Sequence, residues 1–275
     1  MSERPLAAIT GASSGIGAAF ARKLAPRGYD LLLIARREDR LRALASELAD
    51  TYHISADAMA ADLTHDADLE GVAERLQAAP RLGLLVNNAG FGSMGFFFEI
   101  DVAGQEQMHR LHVLATMRLS HAALKNMVPR RTGGIINVSS VAAFMIGSGN
   151  VSYCATKAWM NSFTQGLAME LDARKSPVKV QALCPGFTLS EFHDTLQMDR
   201  GGIPASFWMT ADFVVEESLI GFEARKLFVI PGWRYKITVA AARWLPDPFL
   251  RVISRTLAKR RKQATSPETK GLHDM

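Results

Sequence analysis

The sequence predicts an α/β fold: a doubly wound, seven-stranded parallel sheet with helices on both faces, followed by a helical C-terminal extension. Three observations predict it. Short apolar runs alternate with helical periodicities along the chain, a Gly-rich turn follows the first run at once, and polar residues suited to ligand contact follow the ends of the runs. Leu6 to Ile9 is the first run, and it leads straight into Thr10-Gly11-Ala12-Ser13-Ser14-Gly15-Ile16-Gly17. Tyr29 to Ala35 is the second, and Leu41, Leu44 and Leu48 then recur at helical spacing. Residues 59–61 end a third strand just before Asp62. Leu82 to Asn87, Gly134 to Ser140, Val178 to Cys184 and Leu227 to Ile230 supply the remaining four strands, with long helices over Gln105 to Val128 and Tyr153 to Arg174. Strand and helix in succession make the sheet parallel and cover both faces. Thr10, Arg36, Asp62, Asn88, Ser140 and Gly186 all follow strand ends, where such sheets bind their ligands.

With 275 residues, 48% of them hydrophobic, the chain buries a large core, and one domain is expected. Residues 1–232 form the main body, and residues 233–275 a basic helical extension that is not an independent domain. The net charge of +5 is unevenly spread. Residues 1–224 are net acidic, whereas residues 225–263 carry eleven Lys and Arg against Asp247 alone. The basic character therefore belongs to the extension and says little about the substrate; no nucleic-acid partner is expected. The first strand begins within six residues of the N-terminus and no apolar run approaches ~20 residues, so a cytoplasmic protein without a transmembrane helix is expected. Cys154 and Cys184 read as core thiols, and the seven His show no metal-ligand spacing, so no metal is assigned.

The chemistry is written in Ser140, Tyr153 and Lys157. Four residues apart on a helix, Tyr153 and Lys157 share a face, so an ammonium lies near a phenol and favours its phenolate. A Ser hydroxyl hydrogen-bonds a carbonyl oxygen as charge develops on it. A Tyr-x3-Lys pair alone is as readily a solvated helix face, and it gains meaning from the turn upstream. That turn is spaced Gly-x3-Gly-x-Gly, and between a strand and a helix its glycines let backbone N–H groups approach a pyrophosphate in the field of the helix dipole.

The chain resembles the short-chain dehydrogenase/reductase family of Rossmann type. The resemblance runs from Leu6 to about Gly232 and rests on Thr10 to Gly17, Asp62-Leu63, Asn87-Asn88-Ala89-Gly90, Ser140, Tyr153, Lys157 and Pro185-Gly186. It implies that Ser140, Tyr153 and Lys157 are catalytic. It also implies that Gly11, Ser13, Ser14, Gly15, Ile16 and Gly17 cradle the cofactor with Leu63, Pro185 and Gly186, that Asp62 lies near the adenine, and that Asn88, Ala89 and Gly90 line the cleft. Thr188 and Ser190 are placed to meet the nicotinamide amide or to cap a helix.

At the end of the second strand an NAD enzyme would usually carry an acid. Here Ala35 is followed by Arg36 and Arg37, whose guanidinium forks suit a 2′-phosphate, so the expected cofactor is NADP, as NADPH in reduction. His112 stands where the family usually places an Asn that completes a proton relay to the Lys. It is read either as a relay member that titrates near neutrality or as a structural residue. Phe91, Met94, Phe144, Met145, Ile146, Phe187, Phe192, Phe207, Trp208 and Met209 suggest an apolar pocket. The resemblance implies that residues 1–232 are the catalytic body and that a substrate lid lies at about 187–225, with Gly201-Gly202 as its hinge.

The expected function is NADP-dependent interconversion of a ketone or aldehyde with an alcohol, on a small hydrophobic substrate of acyl-chain or steroid-like character. The rival is a non-catalytic NADP-binding or membrane-associated scaffold that keeps the fold. The two long helices suggest a homodimer or homotetramer. In the extension, Leu250, Ile253 and Leu257 oppose Arg251, Arg255 and Lys259, an amphipathic basic helix suited to packing on protein or to peripheral membrane contact.

Overall fold

A computed structural model describes residues 4–145, 147–191 and 204–244 of the chain. Its main sheet contains β1 (Leu6–Thr10), β2 (Asp30–Ala35), β3 (Ala56–Ala60), β4 (Leu82–Asn87), β5 (Gly134–Val138), β6 (Lys179–Leu183) and β9 (Phe228–Val229). All are parallel and ordered β3-β2-β1-β4-β5-β6-β9. The expected seven-stranded parallel sheet is therefore present. A second sheet, which the sequence did not announce, pairs β7 (Thr188–Leu189) with β8 (Met209–Thr210).

Period-two alternation sorts the core. Ala7, Ile9, Leu31, Leu33, Ile136 and Val138 face helices α1 (Gly15–Leu24), α2 (Glu38–Tyr52) and α7 (Ala211–Glu223). Their neighbours Ala8, Leu32, Ile34 and Ile135 face α3 (Asp66–Ala78), α5 (Thr116–Arg130) and α6 (Val151–Ala173). Both faces are thus buried, which is why the strands read as continuous apolar runs. Each fully buried Leu or Ile contributes on the order of 1.5–3 kcal/mol.

The long helix expected over Gln105 to Val128 is interrupted. α4 (Val102–His109) passes into a π-helical turn over Arg110–Ala115 before α5 begins. Helical hydrophobic periodicity continues across the junction, and the inserted residue shows only in backbone hydrogen bonding. β3 lies at Ala56–Ala60, slightly earlier than the strand end placed at residues 59–61, and α6 starts two residues ahead of Tyr153. α8 (Trp233–Trp244) packs against the turn over Val141–Phe144 that follows β5. Phe192, Ile146, Gly201-Gly202 and the amphipathic stripe beyond residue 244 lie outside the described residues. Among the described residues no helix is long and apolar enough to cross a membrane, and no three His, Cys, Asp or Glu are grouped to hold a metal ion.

The turn between β1 and α1 is packed backbone to backbone. Gly11 has φ +65°, and a Cβ on Gly17 would lie 2.3 Å from the Gly11 carbonyl oxygen. Gly17→Ala is therefore expected to lower stability by about 1–3 kcal/mol through overpacking. Gly71, inside α3, has nothing within 4 Å of an added Cβ, so Gly71→Ala is expected to stabilise by about 0.4–1 kcal/mol. Denaturant midpoints for the two variants should move in opposite directions.

Candidate active site

Sheet order reverses between β1 and β4, and the carboxyl ends of these strands are stitched together there. The Thr10 hydroxyl accepts the backbone N–H of Asn88 and that of Ala89, each at 2.9 Å, and donates to the Val86 carbonyl at 3.3 Å. The Asn88 side-chain amide donates back to the Thr10 and Gly11 carbonyls at 2.9 and 3.2 Å. Above this seam lies a cleft of about 1160 Å³. Gly11, Ser13, Ser14, Gly15, Ile16, Arg36, Arg37, Asp62, Leu63, Asn88, Ala89, Gly90, Pro185, Gly186 and Thr188 line it, together with Ser140, Tyr153 and Lys157. Gly17 and His112, also expected at the site, stand one layer behind, against Gly11 and Gly90 respectively.

One end of the cleft is built for a dinucleotide. The first turn of α1 carries no acid, and its N-cap Ser14 makes no side-chain capping bond, so the leading N–H groups remain for an anion. The Ser14 hydroxyl accepts Arg37 Nη2 at 2.9 Å instead, and Ser13 Oγ accepts Nη2 and Nε of the same guanidinium at 3.0 and 3.2 Å. Arg36 is largely exposed, with its Nη1 3.9 Å from Asp62 Oδ2. Glycines that admit no Cβ, an uncapped helix start and two guanidinium groups beside the second strand fit a phosphorylated adenine dinucleotide.

The other end holds the titratable groups. Ser140 lies just after β5 and caps the turn over Val141–Phe144; its hydroxyl accepts the Ala142 N–H at 3.1 Å, donates to the Pro185 carbonyl at 3.5 Å, and lowers the pKa of Tyr153 against the effect of burial. Val141 N–H donates to the Pro185 carbonyl at 3.0 Å and Ser139 N–H to that of Leu183 at 2.7 Å, which fixes this corner against β6. Lys157 is buried, with Nζ donating to the Val138 carbonyl at 2.8 Å and lying 5.8 Å from the centre of the Tyr153 ring. The expected depression of the Tyr153 pKa is not what this arrangement gives. Burial pushes the phenol up to about 12, against the opposing hydrogen bond with Ser140, and the same burial pushes Lys157 down to about 8. Desolvation penalises the charged form of each group.

His112 also differs from its relay expectation. Its Nε2 accepts the Phe91 N–H at 3.2 Å, and its Nδ1 lies 3.0 Å from Thr156 Oγ1, whose proton goes to the Tyr153 carbonyl at 2.9 Å. This network assigns the neutral Nδ1–H tautomer, and both nitrogens are engaged by protein groups. Burial, reinforced by the Lys157 charge, holds its pKa well below 6.5. Thr188 opens strand β7, and its hydroxyl donates to the Gly186 carbonyl at 3.0 Å.

Two residues that line the cleft were missed in the sequence. Tyr235 of α8 is buried, its hydroxyl accepting the Phe187 N–H at 2.9 Å and donating to the Phe207 carbonyl at 2.7 Å. It ties together two segments of the cleft wall, and its ring lies where a Cβ on Gly186 would have to be, 2.0 Å from Cζ. The second is Glu191, which pairs with Arg37 and Arg40. Neither residue sits in a local pattern, because its partners are remote in sequence. Cys154 and Cys184 are buried free thiols, as expected.

Residues 5–201 match the family model for short chain dehydrogenases, and the chain belongs to that family of nicotinamide-dependent oxidoreductases. A 3-oxoacyl-[acyl-carrier-protein] reductase of Aquifex aeolicus is 32% identical over 180 residues, which is 65% of this chain and 72% of that relative. Among solved structures, a short-chain dehydrogenase from Sphingobium yanoikuyae in complex with NADPH is 38% identical, with a TM-score of 0.80 over 96% of both chains. A bulky-bulky ketone specific alcohol dehydrogenase from Comamonas testosteroni is 30% identical, with a TM-score of 0.75 over 96% of both chains.

Because the folded protein holds His112 neutral while the unfolded chain protonates it below about 6.5, the unfolded state binds more protons there. That contribution to stability is present above this pH and is lost as pH falls below it. Urea midpoints between pH 7.5 and 5 should therefore fall more steeply for the wild type than for His112→Asn.

Proposed function

We propose that this enzyme is an NADP(H)-dependent reductase of hydrophobic ketones or aldehydes, working reversibly on the corresponding alcohols. The observation that carries the reading is the grouping of Ser140, Tyr153 and Lys157 in one cleft between a dinucleotide cradle and an apolar wall, with Lys157 Nζ 5.8 Å from the Tyr153 ring centre. The wall includes Phe91, Met94, Met145, Phe187, Phe207 and Tyr235. Apolar surface on several sides suits a carbonyl flanked by large groups, of acyl-chain or steroid-like character. The relatives support this: one is a 3-oxoacyl reductase, one a dehydrogenase of bulky-bulky ketones, and one is seen with NADPH. Intact Ser140, Tyr153 and Lys157 weigh against a non-catalytic scaffold.

When bound, the nicotinamide supplies hydride to the carbonyl carbon or takes it back from the alcohol. Ser140 Oγ holds the carbonyl oxygen, and Tyr153 Oη delivers the proton that oxygen needs. The raised Tyr153 pKa keeps the phenol protonated, which is the form that reduction requires. As its proton leaves, the growing phenolate charge lies in the same dry corner as the Lys157 amine, so an ammonium there stabilises it most when the proton is in transit. Lys157 donates one N–H hydrogen bond to the Val138 carbonyl and lines the cleft, where its other N–H groups would meet a ribose. His112 is a positioning residue in this scheme. It props the Gly90–Phe91 backbone against α6 through Thr156 and stays neutral while doing so.

Ser13, Ser14 and Gly15 would hold the pyrophosphate, with Arg36 and Arg37 on the 2′-phosphate. Exposed Met117 on α5 and Met169 on α6 support subunit contact on these helices. The basic extension expected to meet protein or membrane lies beyond the described residues.

Tyr153→Phe should abolish turnover and leave the NADPH Kd within a few-fold of wild type, as read from NADPH consumption and from fluorescence titration. Activity retained by this variant would overturn the mechanism. Arg37→Ala should weaken NADPH by tenfold or more, since a charge-assisted contact contributes on the order of 1.5–3 kcal/mol, while NADH changes little. Equal losses for the two cofactors would count against NADP preference. A panel of diaryl ketones, 3-oxoacyl thioesters and a small ketone, with NADPH, tests the substrate class; the highest kcat/KM should fall on the bulky members.

A further inference from the structure

Glu191 is a charge in the cofactor half of the cleft that the reaction does not use. It stands two residues beyond β7, and its carboxylate reaches back to the segment after β2. Oε2 accepts Arg37 Nη1 at 2.8 Å, and Oε1 accepts Arg40 Nη1 at 2.6 Å. The rest of the Arg37 fork is held by Ser13 and Ser14, so Glu191 closes a nest of two guanidinium groups and two hydroxyls beside the Gly-rich turn. Ser190 fixes the approach: a Cβ on Gly15 would lie 3.0 Å from Ser190 Cβ, so the segment is seated on the turn itself. Hydrogen bonds from Arg40 and Arg37 hold the Glu191 carboxyl down at about 2, so it is ionised at any working pH.

Two guanidinium forks with adjacent hydroxyls form a donor set suited to a phosphate monoester. We propose that Glu191 is a built-in competitor for the 2′-phosphate of NADP(H): its carboxylate, anchored by Arg40, takes the Arg37 donor that this phosphate would use, and so sets how far the enzyme prefers NADP(H) to NAD(H). The inference rests on the NADP(H) reading above. A phosphate ester brings a charge of about −1.5 to −2 to a nest already holding a carboxylate, and the two anions repel at hydrogen-bonding distance. Entry of the phosphate displaces the carboxylate. Glu191 has a side chain 47% exposed, so it can turn into water at small cost. A 2′-hydroxyl makes no comparable demand on the forks, so NAD(H) leaves Glu191 in place. Arg36, largely exposed and 3.9 Å from Asp62, remains on the same side to take up the incoming phosphate.

The test is the Kd of NADPH, NADH, adenosine 2′-monophosphate and adenosine 5′-monophosphate for the full-length wild type and Glu191→Gln, with thermal melts to confirm folding. The exchange is isosteric and exposed, and Glu191→Ala provides a second variant. Glu191→Gln should tighten NADPH and the 2′-monophosphate roughly three- to tenfold, the range left to an ionic contact after solvent screening, with NADH and the 5′-monophosphate within twofold of wild type. Unchanged or weakened NADPH binding, in a protein that already prefers NADPH, would overturn the proposal and leave the cofactor assignment standing. Equal tightening of NADPH and NADH would also overturn it. If wild type and both variants bind NADPH no better than NADH, the cofactor reading itself fails.

Discussion

Everything at this site depends on the seam between β1 and β4. Two neighbouring parallel strands whose following segments diverge expose backbone N–H and carbonyl groups at their carboxyl ends, and buried groups of this kind must be satisfied. Thr10 and Asn88 do so reciprocally, hydroxyl to two N–H groups and amide to two carbonyls. The Gly-rich turn and the Asn88-Ala89-Gly90 segment can therefore lie edge to edge without side chains between them. Below the seam the Asn87 amide donates to Ser120 Oγ and Asn137 Oδ1, and the Asn137 amide to Thr164 Oγ1. This buried polar chain ties β4 and β5 to both long helices, and so carries the position of β1 across to α6, where Tyr153 and Lys157 stand.

The reactive groups work under a second constraint, scarcity of water. Both Tyr153 and Lys157 are driven toward their neutral forms by burial. A neutral phenol beside an ammonium at rest, rather than a standing phenolate–ammonium pair, leaves their attraction unformed before substrate arrives. Attraction between them then grows in the transition state, where it lowers the barrier instead of stabilising the resting enzyme. His112 fits the same logic, because a neutral imidazole with both nitrogens engaged adds no charge to the corner.

Much of this was legible in the sequence because it is local. The Gly-rich turn, the polar residues after strand ends, the Tyr-x3-Lys spacing and the alternation of apolar runs all lie within a few residues of one another. What escaped was long-range or energetic. The π-helical turn at Arg110–Ala115 leaves hydrophobic periodicity intact, so nothing marked it. The partners of His112 lie 21 and 44 residues away, which hid the engagement of both ring nitrogens. Tyr235 meets residues 48 and 28 positions distant, and Glu191 reaches 154 residues back to Arg37. The direction of the Tyr153 shift depended on the amount of water excluded, a property of the assembled cleft that spacing cannot convey.

The Tyr235 strut has a consequence for how such an enzyme changes over time. Phosphate cradle, proton donor and amine all come from residues 10–157 and are locked together by backbone contacts and a buried polar chain. Part of the substrate wall comes from Phe187, Phe207 and α8, and one phenol on α8 bridges Phe187 to Phe207, while α7 and β9 of the same last third belong to the main core and sheet. Substitutions on α8 or around Phe207 can reshape the chamber while the redox half keeps its geometry, so the molecule is organised to acquire new substrates by drift in its last third without relearning how to move a hydride.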